Sequence, residues 1–137
     1  MKLKKMILPT FLIWIVGTVL VFLTCGWLFT WVYEIEPLIW VDPETMMSPV
    51  NMAWSNLLGI LMSFFFVLVY ATFYKGIPGQ GIKKGMTYGF MISLITAFGM
   101  ATMPLYMTVA WTVVIYWIIQ AFVFNVIKGA IVGTLYK

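Results

Sequence analysis

The sequence predicts an all-α, polytopic integral membrane protein with four transmembrane helices. Of its 137 residues, 64% are hydrophobic and only 9% are charged, whereas a soluble domain is roughly half apolar and about one quarter charged. The apolar residues form four long runs separated by short polar or Pro/Gly-rich segments, and about 20 apolar residues are enough for one span. We therefore expect one transmembrane domain, residues 1–137, built as two antiparallel hairpins.

The first run, residues 6–32, follows a basic start that contains Lys2, Lys4 and Lys5. It is too long for the apolar region of a secretory signal, which has roughly 7–15 residues, so we interpret it as a span. The run contains Cys25, the single cysteine of the chain. A lone cysteine has no internal disulfide partner, and we expect it to be a small core residue.

The other three predicted spans are residues 52–74, 85–103 and 109–136. The first connection, 33–51, holds three prolines and all four acidic residues, while the second, 75–84, is a Gly/Pro turn with three lysines. The third connection is so short that the last two spans should form a hairpin.

The charges predict the orientation of these spans. With an even number of spans, all eight lysines fall on one side and the acids Glu34, Glu36, Asp42 and Glu44 on the other. By the positive-inside rule, both termini and the basic turn are cytoplasmic and the acidic loop is external. This pattern is typical of a prokaryotic inner membrane.

The composition excludes several classes of chemistry. The chain has no histidine, so zinc sites of the HExxH type, His-ligated haem and Ser-His-Asp catalysis lack an essential member. It also has no arginine, the residue that most often reads bases and phosphates in nucleic acids. We therefore expect no enzyme activity, no cofactor and no nucleic-acid partner.

The acidic loop leaves two alternatives open. Its four carboxylates match no calcium-binding spacing, which favours a solvated loop over a cation site. Paired carboxylates are also used in acid–base catalysis, but nothing else in the loop supplies a nucleophile or an electrophile. A lipid-modifying enzyme is therefore the least favoured of our hypotheses.

Small residues recur at every fourth position on three of the predicted spans. This spacing lets helix backbones approach closely, which drives helix association in lipid. The pattern favours packing inside one chain, and it leaves open a face that binds another subunit. The predicted helix-packing residues are Ser55, Gly59 and Ser63 on the second span, Gly81, Gly85, Gly89, Ser93, Ala97 and Ala101 at the third, and Gly129 and Gly133 on the fourth.

Polar residues inside the fourth span form the best candidate site. Gln120 lies near mid-span, while Asn125 and Lys128, three residues apart, share a helix face. Polar groups in lipid are costly and usually face the protein interior or a wet cavity. They could line a polar path; the alternative is that both amides bond across helices while Lys128 extends to the interface.

Two functional hypotheses follow. The leading one is an accessory or structural subunit whose small-residue faces assemble it into a homo-oligomer or a larger membrane complex. The second is a small transporter or channel with a path at Gln120, Asn125 and Lys128. In either case, the expected lipid contacts are made by Lys75, Lys83 and Lys84, which are placed to meet anionic headgroups.

Overall fold

The computed structural model describes residues 4–136, and this part of the chain is helical without any strand. Four helical segments are long and apolar enough to cross a membrane, which confirms the all-α, four-span prediction in its coarse form. Their bounds are Lys4–Leu28, Pro49–Phe73, Gly81–Leu105 and Trp111–Leu135.

The first span contains helix α1 (Lys4–Leu23) and a π-helical turn, Thr24–Leu28, that continues it. A short 3-10 helix, Thr30–Glu34, then leads into the acidic loop. The first span ends at Leu28, four residues before the predicted end at Val32. Hydrophobicity alone did not reveal this end, because the apolar residues continue through the 3-10 helix.

The acidic loop contains a four-residue helix that the sequence pattern did not predict, α2 (Pro43–Met46). Asp42 caps it, because a side-chain oxygen of Asp42 accepts a hydrogen bond from the Thr45 amide at 2.8 Å. This bond lowers the pKa of the Asp42 carboxyl, since it stabilises the charged form. Asp42 followed by Pro43 at the first helical position is a typical helix start.

The second span is helix α3 (Pro49–Phe73), which begins three residues before the predicted start at Met52. Ser48 caps it by accepting a hydrogen bond from the Asn51 amide at 3.4 Å. The two caps thus form a repeated motif, a capping residue followed by proline. In the sequence these prolines were interpreted only as loop residues.

The third and fourth spans are α4 (Gly81–Ala101), with a 3-10 turn at Met103–Leu105, and α5 (Trp111–Leu135). Gly79 and Gly81 have φ values of +94° and +52°, a conformation that side chains with a Cβ rarely adopt. These two glycines let the chain reverse direction between α3 and α4. The closest helix pair in the bundle is α4 against α5, while α1 packs on both α3 and α5.

Two buried clusters mark the two ends of the bundle. Met6, Tyr70, Tyr88 and Val132 pack together, so the start of α1, the end of α3, the start of α4 and the end of α5 lie at one end. We call this the lysine end, because the basic turn is there. A second cluster around Val32, Val109 and Val113 lies at the opposite end, which we call the acidic end.

Candidate functional site

The small residues of α4 and α5 face each other within one chain. A Cβ built on Gly85 would overlap the backbone carbonyl of Gly129, and one built on Gly89 would overlap the carbonyl of Asn125. Gly133 is equally close, because its Cβ would lie 2.8 Å from the Gly85 Cα. The two backbones are therefore in contact, which only glycine permits at these positions.

The same contact continues towards the acidic end. The buried Ser93 hydroxyl donates to the Gly89 carbonyl at 2.8 Å and also lies 3.4 Å from the Ala121 carbonyl on α5. Ala97 and Ala101 are half-buried further along α4, whereas Gly81 is exposed, with no atom within 4 Å of a Cβ built on it. Most of the small residues on α4 are therefore covered by α5 of the same chain.

On α3, the small residues face α1. A Cβ on Gly59 would lie 3.2 Å from the Trp14 ring, so the indole lies directly on the glycine. Ser55 and Ser63 line a cavity beside this contact. Here the small residues leave space open, whereas on α4 and α5 they bring two backbones together.

The three polar residues of α5 do not form one path. The Gln120 amide nitrogen lies 2.8 Å from the Thr24 hydroxyl and 3.1 Å from the Cys25 sulfur, both on the π-helical turn of the first span. The backbone at Asn125 lies against Gly89 of α4. Lys128 alone reaches the cavity between α1 and α3.

The cluster around Gln120 is a set of hydrogen bonds between α5 and the first span. Tyr116, one turn before Gln120, lies 3.4 Å from its amide nitrogen and 3.9 Å from the Cys25 sulfur. The Tyr33 hydroxyl joins this group, and burial together with its bond to Cys25 raises its pKa. Cys25 is therefore half-buried among polar groups, in contrast to the apolar core position expected from the sequence.

Lys128 crosses α1 at a glycine. A Cβ built on Gly17 would lie 3.0 Å from the Lys128 Cε and 3.4 Å from its Nζ. Gly17 is near the middle of the segment Lys4–Leu28, so the ammonium group lies about halfway along the first span. Helical side chains point towards the helix N-terminus, which on α5 is the acidic end.

The cavity that receives Lys128 has a volume of about 350 Å³. Its walls come from α1 and α3, and the exposed residues Val21, Met46 and Met52 lie at its acidic end. Its polar lining consists of neutral groups apart from the lysine. The lining residues are Ile13, Trp14, Gly17, Thr18, Val21, Met46, Met52, Ser55, Asn56, Gly59, Ser63 and Lys128.

The cavity ends towards the lysine end of the bundle. Beyond Ile13 and Ser63, the side chains of Met6, Val67 and Tyr70 are fully buried and pack together. Among the residues that the structure describes, no carboxylate or hydrogen-bond partner lies at the Lys128 ammonium group. A single cation therefore lies midway along a cavity that ends at Ile13 and Ser63.

The three lysines of the basic turn occupy different environments. The Lys84 ammonium group donates to the Tyr74 carbonyl at 3.0 Å and lies 4.2 Å from the centre of the Tyr74 ring. It thereby caps the C-terminus of α3, while Lys75 and Lys83 are exposed. Within residues 4–136, no three His, Cys, Asp or Glu side chains are grouped so as to hold a metal ion.

Sequence reasoning identified Lys128 but missed Gly17 and Trp14, which shape its surroundings. A signal was available: in an antiparallel pair, a small residue at the middle of one helix accommodates a long side chain on its neighbour. Comparison of the chain with family models, with curated proteins and with solved structures gave no match.

Proposed function

We propose that the chain is a small, non-enzymatic membrane carrier that binds an anionic molecule at Lys128. The observation that carries this proposal is the ammonium group halfway along a span, in a cavity where none of the described residues supplies a counter-ion. Placing a lysine at the centre of a membrane helix costs about 2.5–3.5 kcal/mol on insertion scales. An anion bound beside it would offset that cost.

The direction of the lysine side chain supports the proposal. Lysines near helix ends commonly extend to the interface and keep the charge in water. The Lys128 side chain instead lies against Gly17, near the middle of the first span. Keeping the charge in water at the interface does not explain why the side chain lies near the middle of the span. A ligand site at that position does.

The shape of the cavity favours a carrier over a channel. The cavity extends from Met46 and Met52 near the acidic end to Ile13 and Ser63, and the buried cluster of Met6, Val67 and Tyr70 lies beyond it. Carriers have their substrate sites near the bilayer midplane and expose them to one side at a time. We further propose that the acidic end is external, as the positive-inside rule requires.

The hypothesis of a homo-oligomer or accessory subunit stays a prediction. Its main support was the small-residue periodicity, and the contacts of Gly85, Gly89 and Gly129 lie within one chain. Any association with other subunits would therefore use other faces of the helices. Measuring the mass of the protein extracted gently from its membrane tests this prediction.

Anion binding tests the proposed function directly. The purified protein would be heated in detergent with sodium chloride, sodium phosphate or sodium dodecanoate, alongside Lys128→Met and the matched surface variant Lys83→Met. A ligand that binds only the folded state raises the unfolding temperature. We expect at least one anion to stabilise the wild type and Lys83→Met but not Lys128→Met.

The carrier role requires a second measurement. The anion that binds would be loaded into proteoliposomes, and its exchange against external label would be followed for the same three proteins. Exchange that is lost in Lys128→Met supports the proposal. Stabilisation that persists in Lys128→Met, or no response to any anion, would contradict it.

A further inference from the structure

We infer that the ligand is a single-chain amphiphile with one carboxylate, which enters the cavity between α1 and α3 from the bilayer. This inference rests on the proposed function and names the class of its substrate. Its basis is the arrangement of charge, hydrogen-bonding groups and apolar surface along the cavity.

The charged part of the ligand is set by Lys128, which lies beside Gly17 midway along the cavity. Lys128 is the single charged residue among the lining residues, and the neighbouring polar groups are neutral. Two of them already donate to their own helix backbone, since Thr18 bonds to the Trp14 carbonyl at 3.0 Å and Asn56 to the Met52 carbonyl at 2.7 Å. One cation with few remaining donors matches a monovalent carboxylate better than a phosphate, which has more acceptor oxygens to satisfy.

The apolar part of the ligand is set by the rest of the wall. Ile13, Trp14 and Val21 line the α1 side, while Met46 and Met52 lie at the acidic end. Methionine side chains adapt to apolar ligands of varied shape. A chain that extends from the carboxylate towards the acidic end would lie along Val21, Met46 and Met52, while the Trp14 ring lies beside the carboxylate end.

The route of entry follows from the exposed groups around the cavity. The four acidic residues of the chain all lie in the loop at the acidic end, where they repel an anion that approaches through water. Val21 and Met52, from the two helices that flank the cavity, are 48% and 47% exposed. An amphiphile already dissolved in the bilayer can enter between them without passing the carboxylates.

The experiment uses dodecanoate with a bromine on the carbon next to the carboxylate, because bromine quenches tryptophan fluorescence on contact and Trp14 lies about one helical turn from Gly17. Binding in detergent is followed for the wild type, Lys128→Met, Lys83→Met and Trp14→Phe, and brominated dodecanol serves as the uncharged analogue. We expect saturable quenching by the carboxylate in the wild type and Lys83→Met. Lys128→Met and the alcohol should each bind at least tenfold more weakly, and Trp14→Phe should lose most of the saturable quenching.

Three results would overturn the inference, and they separate it from the proposed function. If chloride or phosphate stabilises the protein through Lys128 and dodecanoate does not bind, the amphiphile is wrong but anion binding stands. If acid and alcohol bind equally well, with or without Lys128, the quenching reports partitioning and the inference fails. If no anion of any kind depends on Lys128, both the inference and the proposed function fail.

Discussion

Lys128 of α5 passes α1 at Gly17, where a Cβ would lie 3.0 Å from the lysine Cε. The absence of a side chain at Gly17 gives the lysine its way into the cavity between α1 and α3. The glycine therefore belongs to the candidate site as much as the lysine does.

The first prediction concerns this passage. Gly17→Leu should abolish anion-dependent stabilisation, because the added side chain occupies the space through which Lys128 reaches the cavity. Gly17→Ala should retain it, since the contacted atoms are the flexible end of the lysine. Thermal unfolding with and without the anion measures both variants, and full anion binding by a folded Gly17→Leu would contradict this role of Gly17.

The second prediction concerns the stability of the protein without ligand. Lys128→Met should raise the free energy of unfolding by about 1–3 kcal/mol, because it removes an unpaired charge from the middle of a span. Lys83→Met, at an exposed position, should change it by less than about 0.5 kcal/mol. Unfolding in mixed micelles compares the two, and a destabilised Lys128→Met would show that the lysine has a structural partner.

The third prediction separates Gln120 from the candidate site. Gln120→Leu removes the bonds to Thr24 and Cys25 and should cost about 1 kcal/mol of stability, as interhelical hydrogen bonds in membranes do. Anion binding should stay unchanged, because Gln120 does not line the cavity. Loss of anion binding in a folded Gln120→Leu would contradict this separation. It would support the single polar path of Gln120, Asn125 and Lys128 that the sequence suggested.

The fourth prediction tests the contact between α4 and α5. Gly85→Ala should destabilise the protein by about 2 kcal/mol or more, because the new Cβ overlaps the Gly129 carbonyl and the helices must separate. Gly99→Ala is the control on the same helix, where no atom lies within 4 Å of the new Cβ. It should stabilise by about 0.5–1 kcal/mol through helix propensity; equal effects of the two variants would contradict the contact.

Much of the fold could be predicted from the sequence because the membrane imposes strong rules on it. Four apolar runs of sufficient length predicted four helices. The helix ends were less accurate, since Ser48-Pro49 and Asp42-Pro43 act as caps and hydropathy does not detect capping. The four-residue spacing of Gly85 and Gly89 indicated close packing, but spacing alone does not identify the helix on the other side.

The candidate site was predicted only in part. Lys128 was evident as a charged residue in an apolar run, yet its direction depends on Gly17, which is 111 positions away in the chain. Gln120 and Lys128 both contact the first span, but they contact different parts of it. Helix periodicity predicts which residues share a face, whereas the cavity depends on how α3 and α5 pack against α1.

The most direct test of the central claim is the reaction of a cysteine placed at Ser63, at the inner end of the cavity. In a Cys25→Ala background, Ser63→Cys would be treated in detergent with anionic and cationic methanethiosulfonates, and Ser93→Cys, buried between α4 and α5, is the control. We predict that Ser63→Cys reacts about tenfold faster with the anionic reagent, that Lys128→Met removes this preference, and that Ser93→Cys stays unreactive. Equal rates for the two reagents, or no reaction at Ser63→Cys, would contradict a cavity that presents Lys128 to anions.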